Sequence, residues 1–138
     1  MKILIMGLPG SGKTYLAERL QQHLDCAWFN ADAIRRMSND WNFDNNARIR
    51  QARRMRNIAD YEKSEGRTVI CDFVCPTHLT RHIFEADFTI WMNTIPAGRF
   101  EDTNSIFEAP AYVDVVIEKF LTDKEIVHIV NKIAGVYT

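Results

Sequence analysis

The stretch that decides the fold is Lys2-Ile3-Leu4-Ile5-Met6-Gly7-Leu8-Pro9-Gly10-Ser11-Gly12-Lys13-Thr14-Tyr15-Leu16-Ala17. Its first five residues are a brief apolar, β-branched run, and from Lys13 onward Leu16, Ala17, Leu20 and Leu24 recur at helical spacing. Strand, glycine-rich loop and helix therefore follow one another directly. Glycines in such a loop let successive backbone N–H groups turn toward an anion, and the helix that follows directs its positive end to the same place. A tight turn between core elements would explain the glycines, but not a lysine and a hydroxyl together at the helix start. Gly7 to Tyr15 is thus expected to hold the phosphates of ATP, with Lys13 reaching the β- and γ-phosphates and Thr14 offering its hydroxyl to Mg2+.

Outward from that loop, apolar runs alternate with helical periodicity. Ala27 to Phe29, Thr68 to Phe73, Phe88 to Met92 and Val113 to Ile117 read as strands, all expected to be buried on both faces. A helical start lies near Asp32, and a longer helix capped by Asp44, Asn45 or Asn46 presents Ala52, Met55 and Ala59 inward and stops at Gly66. The last helix carries Thr122 and Glu125 as a capping box, apolar positions at Ile126, Ile129, Val130 and Ile133, and a stop at Gly135. Strands alternating with helices predict an α/β, three-layer P-loop NTPase fold with a parallel sheet of about five strands, built as one kinase domain over residues 1–138. In such sheets a ligand sits beyond the carboxyl ends of the strands.

Composition narrows the classes. The chain has 138 residues, 46% hydrophobic and 25% charged, with a formal charge of -1, so no generally basic surface for nucleic acid is expected. The charge is uneven, however. Arg35, Arg36, Arg48, Arg50, Arg53, Arg54 and Arg56 crowd one stretch that only Asp40 and Asp44 offset, which suits an anionic ligand or a solvated helix face. The first apolar run ends at Gly7, too short for a secretory signal or a membrane span, and a cytoplasmic protein without a membrane partner is expected. Cys26, Cys71 and Cys75 then read as reduced thiols.

A phosphoryl-transfer enzyme needs an acceptor site facing the γ-phosphate. Asp32 follows the second strand at the ligand edge of the sheet, where it can take the proton of an attacking hydroxyl or cap a helix. Arg35, three residues on, shares its helix face. Asp72 ends the Thr68–Cys71 run, a position suited to a carboxylate beside the metal.

With these residues in hand, the chain resembles the adenylylsulfate kinase family, which phosphorylates the 3'-hydroxyl of adenosine 5'-phosphosulfate with ATP and magnesium. Besides the loop, Asn30-Ala31-Asp32-Ala33-Ile34-Arg35 stands where the family has Asp-Gly-Asp-Asn-x-Arg, Phe73-Val74-Cys75-Pro76 is similar to its Phe-Ile-Ser-Pro segment, and Phe100 and Phe107-Glu108-Ala109-Pro110 resemble its later Phe-Thr-Gly and Tyr-Glu-Ala-Pro segments. The resemblance implies that Asp32 is the catalytic carboxylate and that Arg35, Arg48, Gln51, Phe73, Val74, Cys75, Pro76 and Phe100 hold the acceptor. Two departures stand out. Asn30 replaces an aspartate near the metal, and only Asn93 to Arg99 remain where the family carries a long basic lid over ATP. An open site of that kind would also admit a polynucleotide end, since phage-type polynucleotide kinases pair a similar loop with an Asp-x-x-Arg. A third reading is a nucleotide-binding protein with little transferase activity. The acceptor is expected to be a small nucleotide, with nucleic acid in the alternative, and a homodimer is compatible with either.

Overall fold

The computed structural model describes residues 1–135; residues 136–138, which the one-domain expectation includes, lie outside the described residues. In chain order the elements are β1 (Lys2–Met6), α1 (Lys13–His23), β2 (Cys26–Asn30), α2 (Ala31–Ser38), α3 (Asn45–Ser64), β3 (Thr68–Asp72), α4 (His78–Phe84), β4 (Phe88–Met92), α5 (Glu101–Ile106), β5 (Val115–Ile117) and α6 (Asp123–Gly135). The strands form one parallel sheet in the order β2-β3-β1-β4-β5.

Alternation along β1 makes the layers. Ile3 and Ile5 pack with Leu16 and Leu20 of α1 and Ile126, Ile129 and Ile133 of α6 on one face. Leu4 and Met6 pack with Ala52, Met55 and Ala59 of α3 and Phe84 of α4 on the other. Because α1 leaves β1 over one face and α4 leaves β3 over the opposite one, a crevice opens between the carboxyl ends of these two adjacent strands. Gly12 and Asp72, at those two ends, both line it.

The strands are not all buried on both faces. β1 is fully covered, while β2 and β5 lie at the sheet edges and are only partly covered, with Val116 43% exposed. The fifth strand is also shorter than its apolar run: it starts only at Val115, and just before it the Asp114 carboxylate accepts from the Thr89 N–H at 2.8 Å. Two short helices lie in stretches to which the sequence assigned no element. α4 is started by a hydroxyl version of the capping box, Thr77 with Thr80, and α5 by acidic residues in its first turn. No helix of the described residues is long and apolar enough to cross a membrane.

Candidate functional site

The loop after β1 takes a path that its glycines permit. Gly10 and Gly12 have φ of 85° and 98°, the left-handed region open to glycine. At Gly7 a Cβ would lie 2.7 Å from the Met92 carbonyl oxygen, so β1 and β4 approach here as no other residue allows. The loop is braced from outside as well. Thr94 Oγ1 donates to the Ser11 carbonyl at 2.7 Å, and Gly98 lies close over Pro9, held by the Asn104 amide through two 2.8 Å bonds.

Lys13 is nearly buried, and its ammonium donates to the Leu8 carbonyl at 3.0 Å within the loop. Burial pulls it down to about 8, with Asp72 and Asp32 pulling the other way. Across from it, Asp72 is 2% exposed and burial pushes its carboxyl up to about 6, opposed chiefly by a hydrogen bond from Trp28. Trp28 Nε1 donates to Asp72 Oδ2 at 2.6 Å, and Asn30 Nδ2 donates to Asp72 Oδ1 at 3.0 Å and to Thr14 Oγ1 at 3.3 Å. Thr14 Oγ1 lies 3.5 Å from Asp72 Oδ1. A hydroxyl and a carboxylate at the loop suit a hard, oxygen-seeking cation such as magnesium.

Asn30 also caps α2, its Oδ1 accepting from the Ala33 N–H at 3.0 Å. Of the two roles open to Asp32, the cap is therefore taken by another residue, and Asp32 stands exposed in the first turn of α2 at the cleft.

The cleft itself has a volume of about 720 Å³. Pro9, Gly10, Gly12, Lys13, Thr14 and Tyr15 line one wall; Gly7, Leu8 and Ser11 support the loop from behind and do not line it. Every residue expected to hold an acceptor lies on its walls: Arg35, Arg48, Gln51, Phe73, Val74, Cys75, Pro76 and Phe100. Arg35 and Arg48 are nearly buried, and their guanidinium groups lie 4.3 Å and 5.6 Å from the Phe43 ring centre. Arg35 donates to the Asp40 and Asn42 carbonyls at 3.0 and 2.9 Å. Arg48 donates to the Phe43 carbonyl at 2.7 Å and to Thr103 Oγ1 at 3.1 Å. Gln51 holds the Ala31 carbonyl at 3.1 Å, tying α3 to the start of α2.

Trp28, Trp41, Phe43, Arg99 and Thr103 were not singled out by sequence. Trp41, Phe43, Arg99 and Thr103 line the cleft, and together with Phe100 they give its mouth an aromatic, cationic character. Their only advance signal was position, since Trp41 and Phe43 lie between the Asp-x-x-Arg pair and the arginine-rich helix. That helix is less cationic than its composition: Asp40 takes both Arg50 nitrogens at 2.8 and 3.1 Å and Arg54 at 2.9 Å. The Cys71 and Cys75 thiols are buried in the core and pushed up by that burial, Cys75 to about 12.

Residues 1–95 match the model of the family described as adenylylsulphate kinase, the match ending inside the short β4–α5 connection. No curated protein sequence matches the chain. Among solved structures, the APS kinase of Mycobacterium tuberculosis in complex with AMPPNP and APS superposes with a TM-score of 0.81 over 96% of each chain, at 15% identity. A sugar kinase from Janibacter sp. HTCC2649 gives 0.71 over 92% of this chain and 90% of that one, at 17% identity. The hexameric APS kinase from Thiobacillus denitrificans gives 0.74 at 22% identity over 97% of this chain but 28% of that one. At these identities the structural likeness establishes the P-loop kinase fold, and the family rests on the sequence match over more than half the chain: the chain belongs to the adenylylsulphate kinase family.

Proposed function

We propose that the chain is an ATP-dependent kinase that transfers the γ-phosphate to a hydroxyl of a small nucleotide, with the 3'-hydroxyl of adenosine 5'-phosphosulfate as the favoured acceptor. The observation that carries this reading is one cleft with a phosphate loop on one wall and, facing it, paired guanidinium groups and an aromatic rim. Guanidinium forks suit phosphate and sulfate, and aromatic rings suit a base. The two-sided core around a single sheet supports one kinase domain.

In this reading Lys13 leaves the Leu8 carbonyl for the phosphates, and the loop N–H groups hold them. Thr14 and Asp72 would hold magnesium, which when bound neutralises charge on the transferring group. Arg35, Arg48 and Gln51 hold the acceptor, and the Phe73–Pro76 segment and Phe100 border it. The acceptor oxygen bonds to the γ-phosphorus as the bond to the β–γ bridging oxygen breaks. The acceptor proton passes to the Asp32 carboxylate, and ADP leaves. Asp32 suits that task because it is exposed at the cleft and relieved of capping by Asn30.

A polynucleotide acceptor has less support. Of the seven arginines in the basic stretch, Arg35 and Arg48 sit inside the cleft and Arg50 and Arg54 are paired with Asp40, which leaves Arg36, Arg53 and Arg56 to track a strand. The test is transfer of labelled γ-phosphate from ATP with magnesium to adenosine phosphosulfate, beside a 5'-hydroxyl oligonucleotide and a control without acceptor. Label on the sulfonucleotide is expected. Label on the oligonucleotide alone would replace the reading, and label on neither with ATP still bound would point to a nucleotide-binding protein.

A further inference from the structure

Asp72 is held on both sides by groups that no metal-binding or catalytic role has claimed. Trp28 stands on β2 opposite Ile70 of β3, two residues before Asp72, and the strands are in parallel register through Asn30 and Asp72 themselves. That register sets the two donors. The Trp28 indole reaches Asp72 Oδ2 at 2.6 Å, while the Asn30 amide reaches Asp72 Oδ1 at 3.0 Å. The same amide touches Thr14 Oγ1 at 3.3 Å, and its oxygen caps the helix that carries Asp32. A carboxylate offers about four lone-pair positions, and two donors of this kind fix its plane while leaving the remainder to face the loop.

An aspartate in place of Asn30 could still cap α2, but its carboxylate has no N–H to give. It would then stand at about hydrogen-bond distance from Asp72 as a second negative charge in a buried site, which is unfavourable unless a cation sits between them. The amide removes that repulsion and adds a donor. Asn30 and Trp28 therefore make a site built around one carboxylate.

We propose that Trp28 and Asn30 are positioning residues for Asp72, together presenting its carboxylate to the cation that accompanies the nucleotide, a conclusion that rests on the ATP–magnesium reading of the cleft. Partners that orient a metal-facing carboxylate are typically worth ten- to a hundredfold in metal affinity. Both donors are spent on Asp72, with Asn30 reaching Thr14 as well, so their loss is expected to act on the metal and to leave the metal-free nucleotide largely alone.

The test measures Mn2+, a paramagnetic stand-in for Mg2+, binding to the protein saturated with AMPPNP, together with AMPPNP binding in chelator. Trp28→Phe keeps the ring and loses the N–H; Asn30→Ser keeps an oxygen for the cap and loses the amide donor. Each is expected to weaken Mn2+ about tenfold or more while changing metal-free AMPPNP affinity less than about twofold. In the unmodified protein, one of the three tryptophan indole N–H signals, that of Trp28, is expected to shift when Mg2+ joins bound AMPPNP. This last measurement needs no variant to fold. Unchanged Mn2+ affinity in both variants, or a Trp28 signal indifferent to Mg2+, overturns the assignment and leaves the nucleotide site standing. Failure of the unmodified protein to bind AMPPNP at all overturns the nucleotide reading and this assignment with it.

Discussion

Removing the Arg81 guanidinium should both loosen the fold and open one wall of the cleft. Arg81 on α4 donates from Nε to the Cys75 carbonyl at 3.0 Å and from Nη2 to the carbonyls of Pro76, at 3.2 Å, and Glu108, and it lies 5.3 Å from the Phe107 ring centre. It thus ties Phe73–Pro76 to a segment about 30 residues later, which Glu108 reinforces by donating its N–H to the Pro76 carbonyl at 2.7 Å. Cys75 needs the tie, because its φ of 47° is left-handed, a conformation costing a non-glycine residue roughly 1–2 kcal/mol. Two part-buried, charge-assisted bonds are worth about 3–4 kcal/mol and the ring contact about 0.5–1 kcal/mol. Against this, Nη1 is buried without a partner, and its removal returns about 1–2 kcal/mol. Arg81→Met should therefore destabilise by about 2–3 kcal/mol, lowering Tm by about 7–10 °C for a chain of this length. Arg81→Lys, which keeps the charge and loses the fork, should fall between. In the transfer assay the acceptor KM should rise with nucleotide affinity unchanged, since the loop lies on the other wall. A Tm within about 1 °C of the parent, or equal losses for acceptor and nucleotide, would refute the clamp.

Asp32→Asn should cut transfer by roughly a hundredfold to ten-thousandfold with nucleotide affinity preserved; full transfer in a turnover assay would dismiss Asp32 as the base. Hydrogen bonds from Arg50, then Arg54, hold the Asp40 carboxyl well below the usual carboxylate range. Its contribution to stability is therefore complete at neutral pH and shrinks as pH falls below the ordinary value of about 4. Thermal melts should show Asp40→Asn less stable than the parent at pH 7, with the gap closing in strong acid; a gap that widens there contradicts the sign. Met55 is fully buried where α3 meets the sheet, and Met55→Ala should cost about 2–4 kcal/mol in urea unfolding. A loss below about 1 kcal/mol would mean that this face is not close-packed.

The glycine-loop wall of the cleft was legible because its geometry is local. The consecutive residues Gly7 to Gly12 set the backbone path of the loop, and the register of one strand and one helix places Lys13 and Thr14. The other wall is assembled from α2, α3, α5 and the segment after β3, and only the residues that touch across those joins define it. Thr103 matters because Arg48 reaches it across 55 residues, and Trp28 because β2 pairs with β3. No spacing in the sequence announces either contact. How the arginine-rich stretch divides its charge was hidden for the same reason: Asp40 is met by two arginines from the next helix, while Arg35 and Arg48 line the cleft.

The same distinction explains the short β4–α5 connection. Its sequence shows only that few residues remain, whereas its contacts show what they do. Thr94 holds the Ser11 carbonyl, and Asn104 fixes Gly98 against Pro9 from both sides of its peptide. A segment pinned at both ends braces the loop and is a poor swinging cover. In the proposed kinase, water must then be kept from the transferring phosphate by the acceptor itself, seated under Trp41, Phe43 and Phe100. ATP hydrolysis without acceptor should accordingly be measurable and should fall once the true acceptor saturates the cleft. An acceptor that is phosphorylated while leaving that hydrolysis untouched would show that the aromatic mouth does not close over it.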